Sequence, residues 1–261
     1  MTTAVHYSRF LATAWWLQLK QMTVNRLYVS VAVIQPVLIA TVTSLMLRHS
    51  ADGHALEQAA LGSGVLGMWM ATLLASGAAI ARLRFVGTLE AVVASPAPLS
   101  LVVLPITFAS ATLGIYSLVV TMAWGRLLFG MPVALAHPAA LLVAVPVLVG
   151  SLGCLGLLLA AVFVLYPNAV ALSNVAGYPI AVLAGVIVPV SRIPQVLRPL
   201  SDVLAPRWGV QALQTVVLGG GSWSGSLLLC LATSAGYVGG ALLLLSALVR
   251  RARRDAKLAL T

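Results

Sequence analysis

The chain has 261 residues, of which 61% are hydrophobic and 8% charged, with a formal net charge of +10 and a mean hydropathy of +1.06. A soluble domain carries about a quarter charged residues, so this composition cannot cover a water-facing surface and argues against a soluble enzyme. The positive charges sit beside apolar runs, which makes them orienting charges of membrane helices rather than a nucleic-acid surface.

In chain order, residues 1–26 come first. Tyr7, Leu11, Ala14, Trp15 and Met22 share one helical face, with Arg9, Thr13 and Lys20 roughly opposite, while Trp16 and Gln18 break the pattern. This predicts a moderately amphipathic interfacial helix with its tryptophans at headgroup level. Arg9, Lys20 and Arg26, with no short apolar stretch before a small-residue cleavage site, predict that it is not a cleaved signal.

A helix needs about 20 apolar residues to cross a bilayer core of about 30 Å, so the charge-free gaps count the spans. The gaps are 27–47, 58–81, 91–125, 127–191 and 208–249. The fourth is long enough for two helices, and Tyr166-Pro167-Asn168 supplies the turn near its middle. Six spans are predicted, at about 27–47, 60–81, 100–123, 139–165, 169–190 and 226–249, followed by a basic tail at 250–261. With the N-terminus inside, ten Lys and Arg lie on the cytoplasmic side (Arg9, Lys20, Arg26, Arg82, Arg84, Arg250, Arg251, Arg253, Arg254, Lys257) and five outside (Arg48, Arg126, Arg192, Arg198, Arg207). Both termini are therefore expected in the cytoplasm.

Other signals point away from chemistry in this chain. Cys154 and Cys230 lie in apolar stretches, and His6, His49, His54 and His137 lack zinc-site spacing. Asp52 and Glu57 are expected in a short, solvated outer loop. Gly62-Ser63-Gly64-Val65-Leu66-Gly67 matches a dinucleotide-binding pattern but opens a span with no strand before it, so close helix packing is the better reading. Gly236 and Gly240 form a GxxxG pair in the last span, a candidate helix–helix contact. No phosphate-binding GxxxxGK[ST] run occurs, so no ATP site is expected here, and the predicted spans hold no Asp, Glu, Lys or Arg.

The most informative segment is the cytoplasmic loop 82–98. Behind Arg82 and Arg84, Gly87 permits a turn, Thr88 is a good N-cap, and Glu90 falls in a first helical turn, where a carboxylate suits the dipole. Pro96 and Pro98 stop the helix after about two turns, roughly 10 Å. On the residues alone this is either a short docking helix or a capped connecting turn. Between spans five and six, Pro189, Pro194, Pro199 and Pro206 recur among apolar residues, with Arg192, Arg198, Asp202 and Arg207 interspersed. Such a segment cannot form a regular span, and its plain reading is an outer loop.

Gly87-Thr88-Leu89-Glu90 followed by Ser95-Pro96, behind basic residues, resembles the signature of ABC-2 type transporter permeases. Ala81-Arg82 stands where family members commonly carry an acidic–basic pair. The resemblance extends over the N-terminal helix, six spans, proline-rich outer segment and basic tail. It implies an all-α membrane protein in which Arg82, Arg84, Gly87, Thr88, Leu89, Glu90, Ser95 and Pro96 form a coupling helix docked on a separate ATP-hydrolysing subunit. It also implies re-entrant outer helices around Pro189, Pro194, Pro199 and Pro206. The partners implied are two ATPase copies, which bind ATP and magnesium, and a second permease, identical or related; this chain itself binds no cofactor and hydrolyses nothing. The expected setting is a bacterial inner or plasma membrane. The expected cargo, exported past apolar and small side chains, is an apolar or amphipathic natural product, peptide or lipid, as in antibiotic resistance. A lipid-linked glycan is the alternative within the class, and an ion-coupled carrier or channel the alternative outside it.

Overall fold

The computed structural model describes residues 2–47, 53–85, 87, 99–130, 137–165, 168–187, 193–219 and 221–258. Its elements are α1 (Thr2–Val24), α2 (Arg26–Leu47), α3 (Gly53–Phe85), α4 (Ser100–Leu113), α5 (Ile115–Phe129), α6 (Pro138–Phe163), α7 (Ala169–Leu183), α8 (Arg198–Val203), α9 (Ala205–Leu218) and α10 (Trp223–Leu258). A 3-10 turn at Gln195–Leu197 precedes α8. No strand occurs among the described residues, so the all-α reading holds for them.

Among the described residues, four stretches are long and apolar enough to cross a membrane: Glu57–Leu83 in α3, Ser100–Phe129 through α4 and α5, Pro138–Phe163, and Trp223–Arg251 in α10. The fourth and fifth helices act as one rod, because Gly114 between them keeps helical angles (φ −56°, ψ −20°). That rod runs beyond the expected end near 123, until Gly130 at φ +61° accepts the left-handed turn that closes it.

The apolar stretches in α2 and α7, Ala32–Met46 and Ala169–Leu183, are shorter. Fifteen residues give α7 only about 22 Å of rise. It stops well before the expected residue 190 for a local reason. Gly185 adopts φ +75°, the Gly185 amide donates to the Val182 carbonyl (3.0 Å), and the Val186 amide donates to the Ala181 carbonyl (3.1 Å). These two bonds form a Schellman motif, which satisfies the last carbonyls and turns the chain away.

The hub is α3. It packs against α2, α4, α5, α6, α7 and α9, and Leu61, Val65, Leu66, Met68, Trp69 and Leu73 lie in the main core with Leu148, Leu152, Phe163 and Leu213. Small residues permit this crowding. A Cβ on Gly64 would stand 2.5 Å from the Thr121 hydroxyl and 2.9 Å from Leu118 Cα, one on Gly67 would meet Pro36 of α2, and one on Gly62 would meet the Val186 carbonyl. The Gly62–Gly67 run therefore serves helix packing toward three different neighbours. Gly236 has nothing within 4 Å of its Cβ position, and Gly240 has Leu158 at 3.6 Å; within this chain only the second half of the GxxxG pair meets a helix.

The first helix lies on the bundle through Trp15, Leu19 and Met22, which pack on Ala75, Ile106, Ala109 and Leu113, and the Trp15 indole donates to Thr112 Oγ1 (3.3 Å). Tyr7, Phe10, Trp16, Leu17 and Val24 remain exposed alongside Arg9 and Lys20. The last helix is a continuous 36 residues, about 54 Å by helical rise, so the basic residues from Arg250 onward extend the final helix rather than form a separate tail. Glu57 is not solvated as expected: it lies on α3 with 6% of its surface exposed.

Candidate functional site

Three regions bear on function. The first is the expected docking segment. Arg82 is exposed near the end of α3, Arg84 lies on the same final turn, and Phe85, the last helical residue, is 95% exposed. Gly87 is exposed at φ +69°, with nothing within 4 Å of its Cβ position, a conformation that favours glycine over any L side chain. Thr88, Leu89, Glu90, Ser95 and Pro96 lie outside the described residues. On the far side the chain is anchored at once: Leu99 and Val103 are buried with Leu157, Ala160, Ala241 and Leu245, and Leu83 packs on the same cluster. The described residues on either side of this segment thus share one buried cluster, Leu83 near the end of α3 and Leu99 and Val103 at the start of α4.

The second region is the outer segment. Pro189 lies outside the described residues. Pro194 precedes the 3-10 turn, Pro199 stands in the first turn of α8 and Pro206 in that of α9. There a missing N–H costs nothing, so the prolines start short helices. Asp202 and Arg207 form an ion pair, and the Arg207 guanidinium lies 4.7 Å from the Trp208 ring centroid. Burial first, and then neighbouring Arg198, lower the Arg207 pKa from its ordinary value.

Two contacts tie this segment to the helices on either side. The Ser201 hydroxyl donates to the Leu183 carbonyl at the end of α7 (2.5 Å). The Tyr237 hydroxyl of α10 donates to the Val203 carbonyl (2.6 Å) and accepts from the Ala205 amide (3.1 Å), capping α9 where Leu204 offers no side-chain cap. Tyr237→Phe is expected to cost about 1–2 kcal/mol by removing both bonds. The loss should register as faster hydrogen exchange at the Ala205 amide, with exchange in α6 unchanged.

The third region is a cleft of about 410 Å³ between α2, α3 and α7, within the ~300–1,000 Å³ usual for small-molecule sites. Ala32, Gln35 and Pro36 line it from α2, with Asn25 at the α1–α2 junction; Gly67, Met70, Ala71, Leu73 and Leu74 come from α3; Ser173, Asn174 and Tyr178 come from α7. Apolar and small side chains form most of the wall, and polar ones are spaced along it. The cleft stays open because small residues bring the helices together only along certain lines. Gly77 abuts Ser173, and Gly177 meets Met70. Ser173 turns its hydroxyl back to the Val170 carbonyl (2.7 Å), whereas Gln35, Asn174 and Tyr178 make no side-chain hydrogen bond among the described residues. None of these residues is ionisable in the range that orients spans, so the charge pattern of the spans does not mark them; an Asn or Gln inside a span is also costly in lipid and is the signal the sequence offers for them.

No protein of curated function matches the chain. The family profile described as ABC-2 type transporter matches residues 9–218, a stretch that contains residues 82–98, the cleft and the outer segment. The chain belongs to the ABC-2 type transporter family.

Proposed function

We propose that the chain is the membrane-spanning permease of an ATP-driven exporter, taking an apolar or amphipathic cargo from the cytoplasmic side into the cleft between α2, α3 and α7. The observation that carries this reading is that one helix serves both tasks. The third helix contributes Gly67, Met70, Ala71, Leu73 and Leu74 to the cleft wall and ends in the exposed Arg82 and Phe85 where the docking segment begins. Movement imposed at that segment changes the cleft without an intermediary. Two copies of a separate ATPase supply the ATP and magnesium chemistry, and a second permease completes the pathway. Six helices cross a bacterial inner or plasma membrane with both termini in the cytoplasm, α2 and α7 being the two short crossings. The outer helices α8 and α9 dip back from the far side as a re-entrant cap.

The test is recovery of the tagged protein from its native membrane in mild detergent, with mass spectrometry of co-purifying chains. A stoichiometric soluble partner carrying a P-loop is the expected result. Recovery of the permease alone, even after cross-linking near Glu90, would move the reading to an ion-coupled carrier or channel. With the complex in hand, Glu90→Ala is expected to lower transport and cargo-stimulated ATP hydrolysis about tenfold, the effect of losing a docking contact of about 1.4 kcal/mol. Insertion and thermal stability of the permease should be unaltered; full transport by the variant would remove Glu90 from the coupling role.

A further inference from the structure

We infer that the cleft selects an uncharged amphiphile, whose hydrogen-bonding groups are read by the amides of Gln35 and Asn174 and the hydroxyl of Tyr178. The inference rests on the reading of the chain as a permease and adds the charge class of what it carries.

Position makes these side chains informative. Gln35 lies about 14 Å along α2 from Arg26, and Asn174 about 8 Å into α7 from Ala169, by helical rise. With α2 and α7 as the two short crossings proposed above, both stand within the membrane, where hydrocarbon offers an amide no partner. Gln35 is half-buried, and Asn174 and Tyr178 are exposed. All three line one cavity and make no side-chain hydrogen bond among the described residues. An unpartnered amide at this depth is stable only against water or a bound polar group. Each amide offers two donors and an acceptor, and the tyrosine offers one of each. Together they suit hydroxyl, carbonyl and amide groups.

The lining excludes charge as clearly as it accepts polarity. Among the described residues it contains no Asp, Glu, Lys, Arg or His, so an ionised cargo would give up its hydration without meeting a counter-charge. Alongside the polar groups, Pro36, Met70, Leu73 and Leu74 supply apolar lining, and the flexible thioether of Met70 adapts to differing shapes. A neutral molecule with an apolar body and a polar edge satisfies both walls.

The test uses the full chain in phosphatidylcholine nanodiscs with Nile red as neutral fluorescent probe, corrected against empty discs. Three competitors share one decyl chain and differ in headgroup: decanoyl-N-methylglucamide, decyltrimethylammonium and decyl sulfate. The glucamide is expected to displace the probe at a concentration at least tenfold below either ion. The paired substitution Gln35→Leu with Asn174→Leu should abolish that preference, and Gln35→Glu should shift it toward trimethylammonium. The acid variant keeps the shape of the amide and serves if the leucine pair fails to fold. Dioleoylglycerol in the disc offers the same neutral chemistry from the lipid phase. Displacement by it as well as by the glucamide supports the class with entry from the bilayer; displacement by the glucamide alone supports it with entry from water.

Equal displacement by all three headgroups would overturn the inference. So would a preference that survives the leucine pair while the oligomeric state changes, which would make the amides a contact between copies. No nucleotide or ATPase enters the assay, so a retained headgroup preference without ATP-driven transport would count against export and leave the cleft assignment standing.

Discussion

Trp69→Ala is expected to destabilise the protein by about 3–5 kcal/mol, the range for removing a fully buried large aromatic side chain. Trp69 is 2% exposed and lies in the main cluster with Leu66, Leu73, Leu152 and Ala181. Its indole N–H donates to the Gly177 carbonyl of α7 (2.8 Å). The substitution thus removes both the volume between α3 and α7 and the hydrogen bond that sets their register. Trp69→Phe keeps most of the volume and should cost about 1 kcal/mol from the lost hydrogen bond. Equilibrium unfolding in mixed micelles separates the two. Near-equal costs for Ala and Phe would mean that the hydrogen bond, rather than packing, holds α7 in place. Because Met70 and Gly177 flank the same contact, Trp69→Phe should also alter probe binding in the cleft more than its small stability cost suggests.

Gly64→Val is the second large effect, about 3 kcal/mol, at the upper end for overpacking. The obstruction is not a flexible side-chain tip. A Cβ at residue 64 comes within 2.9 Å of Leu118 Cα, which is backbone, and the Thr121 hydroxyl on the other side is already bonded to the Ser117 carbonyl (2.8 Å). To admit valine, α3 and α5 must separate, and that strains the bond from Ser117 to the Ala32 carbonyl of α2 (2.7 Å). Gly236→Ala is the matched control. Its site is open, and alanine exceeds glycine in helix propensity by up to about 1 kcal/mol, so that variant should be neutral or slightly more stable. Thermal unfolding of the pair in one detergent distinguishes tight packing at residue 64 from a general intolerance of larger residues in the spans.

Much of the outline was readable in advance because its causes are local. The Gly62–Gly67 run was recognisable as packing glycine because it opens an apolar helix without the strand that a nucleotide-binding turn needs. Pro194, Pro199 and Pro206 signalled only that no regular span runs through the outer segment; that they open short helices is seen in the structure. The end of α7 differs from the expected residue 190 although its signal is present: Gly185 precedes an apolar run that continues the helical pattern, and the glycine is the stop. Glu57 was misplaced because span counting treats every charge as a boundary, whereas a helix that begins outside the apolar core carries a charge inward on its first turns.

Composition, charge spacing and motif alone carry the all-helical membrane class, the order of the apolar segments and the lack of a GxxxxGK[ST] run. In lipid each helix satisfies its backbone within one segment, so length and composition decide whether it forms. Packing settled that α3 is the hub, that Gly62 meets the Val186 carbonyl while Gly64 faces α5 and Gly67 faces both α2 and α5, that Tyr237 caps a helix from another element, and that Gln35 and Asn174 share one cleft. Those outcomes depend on which helix faces meet. Between helices in a bilayer there is little hydrophobic bias toward one face, and fit, small residues and a few polar contacts settle the choice together.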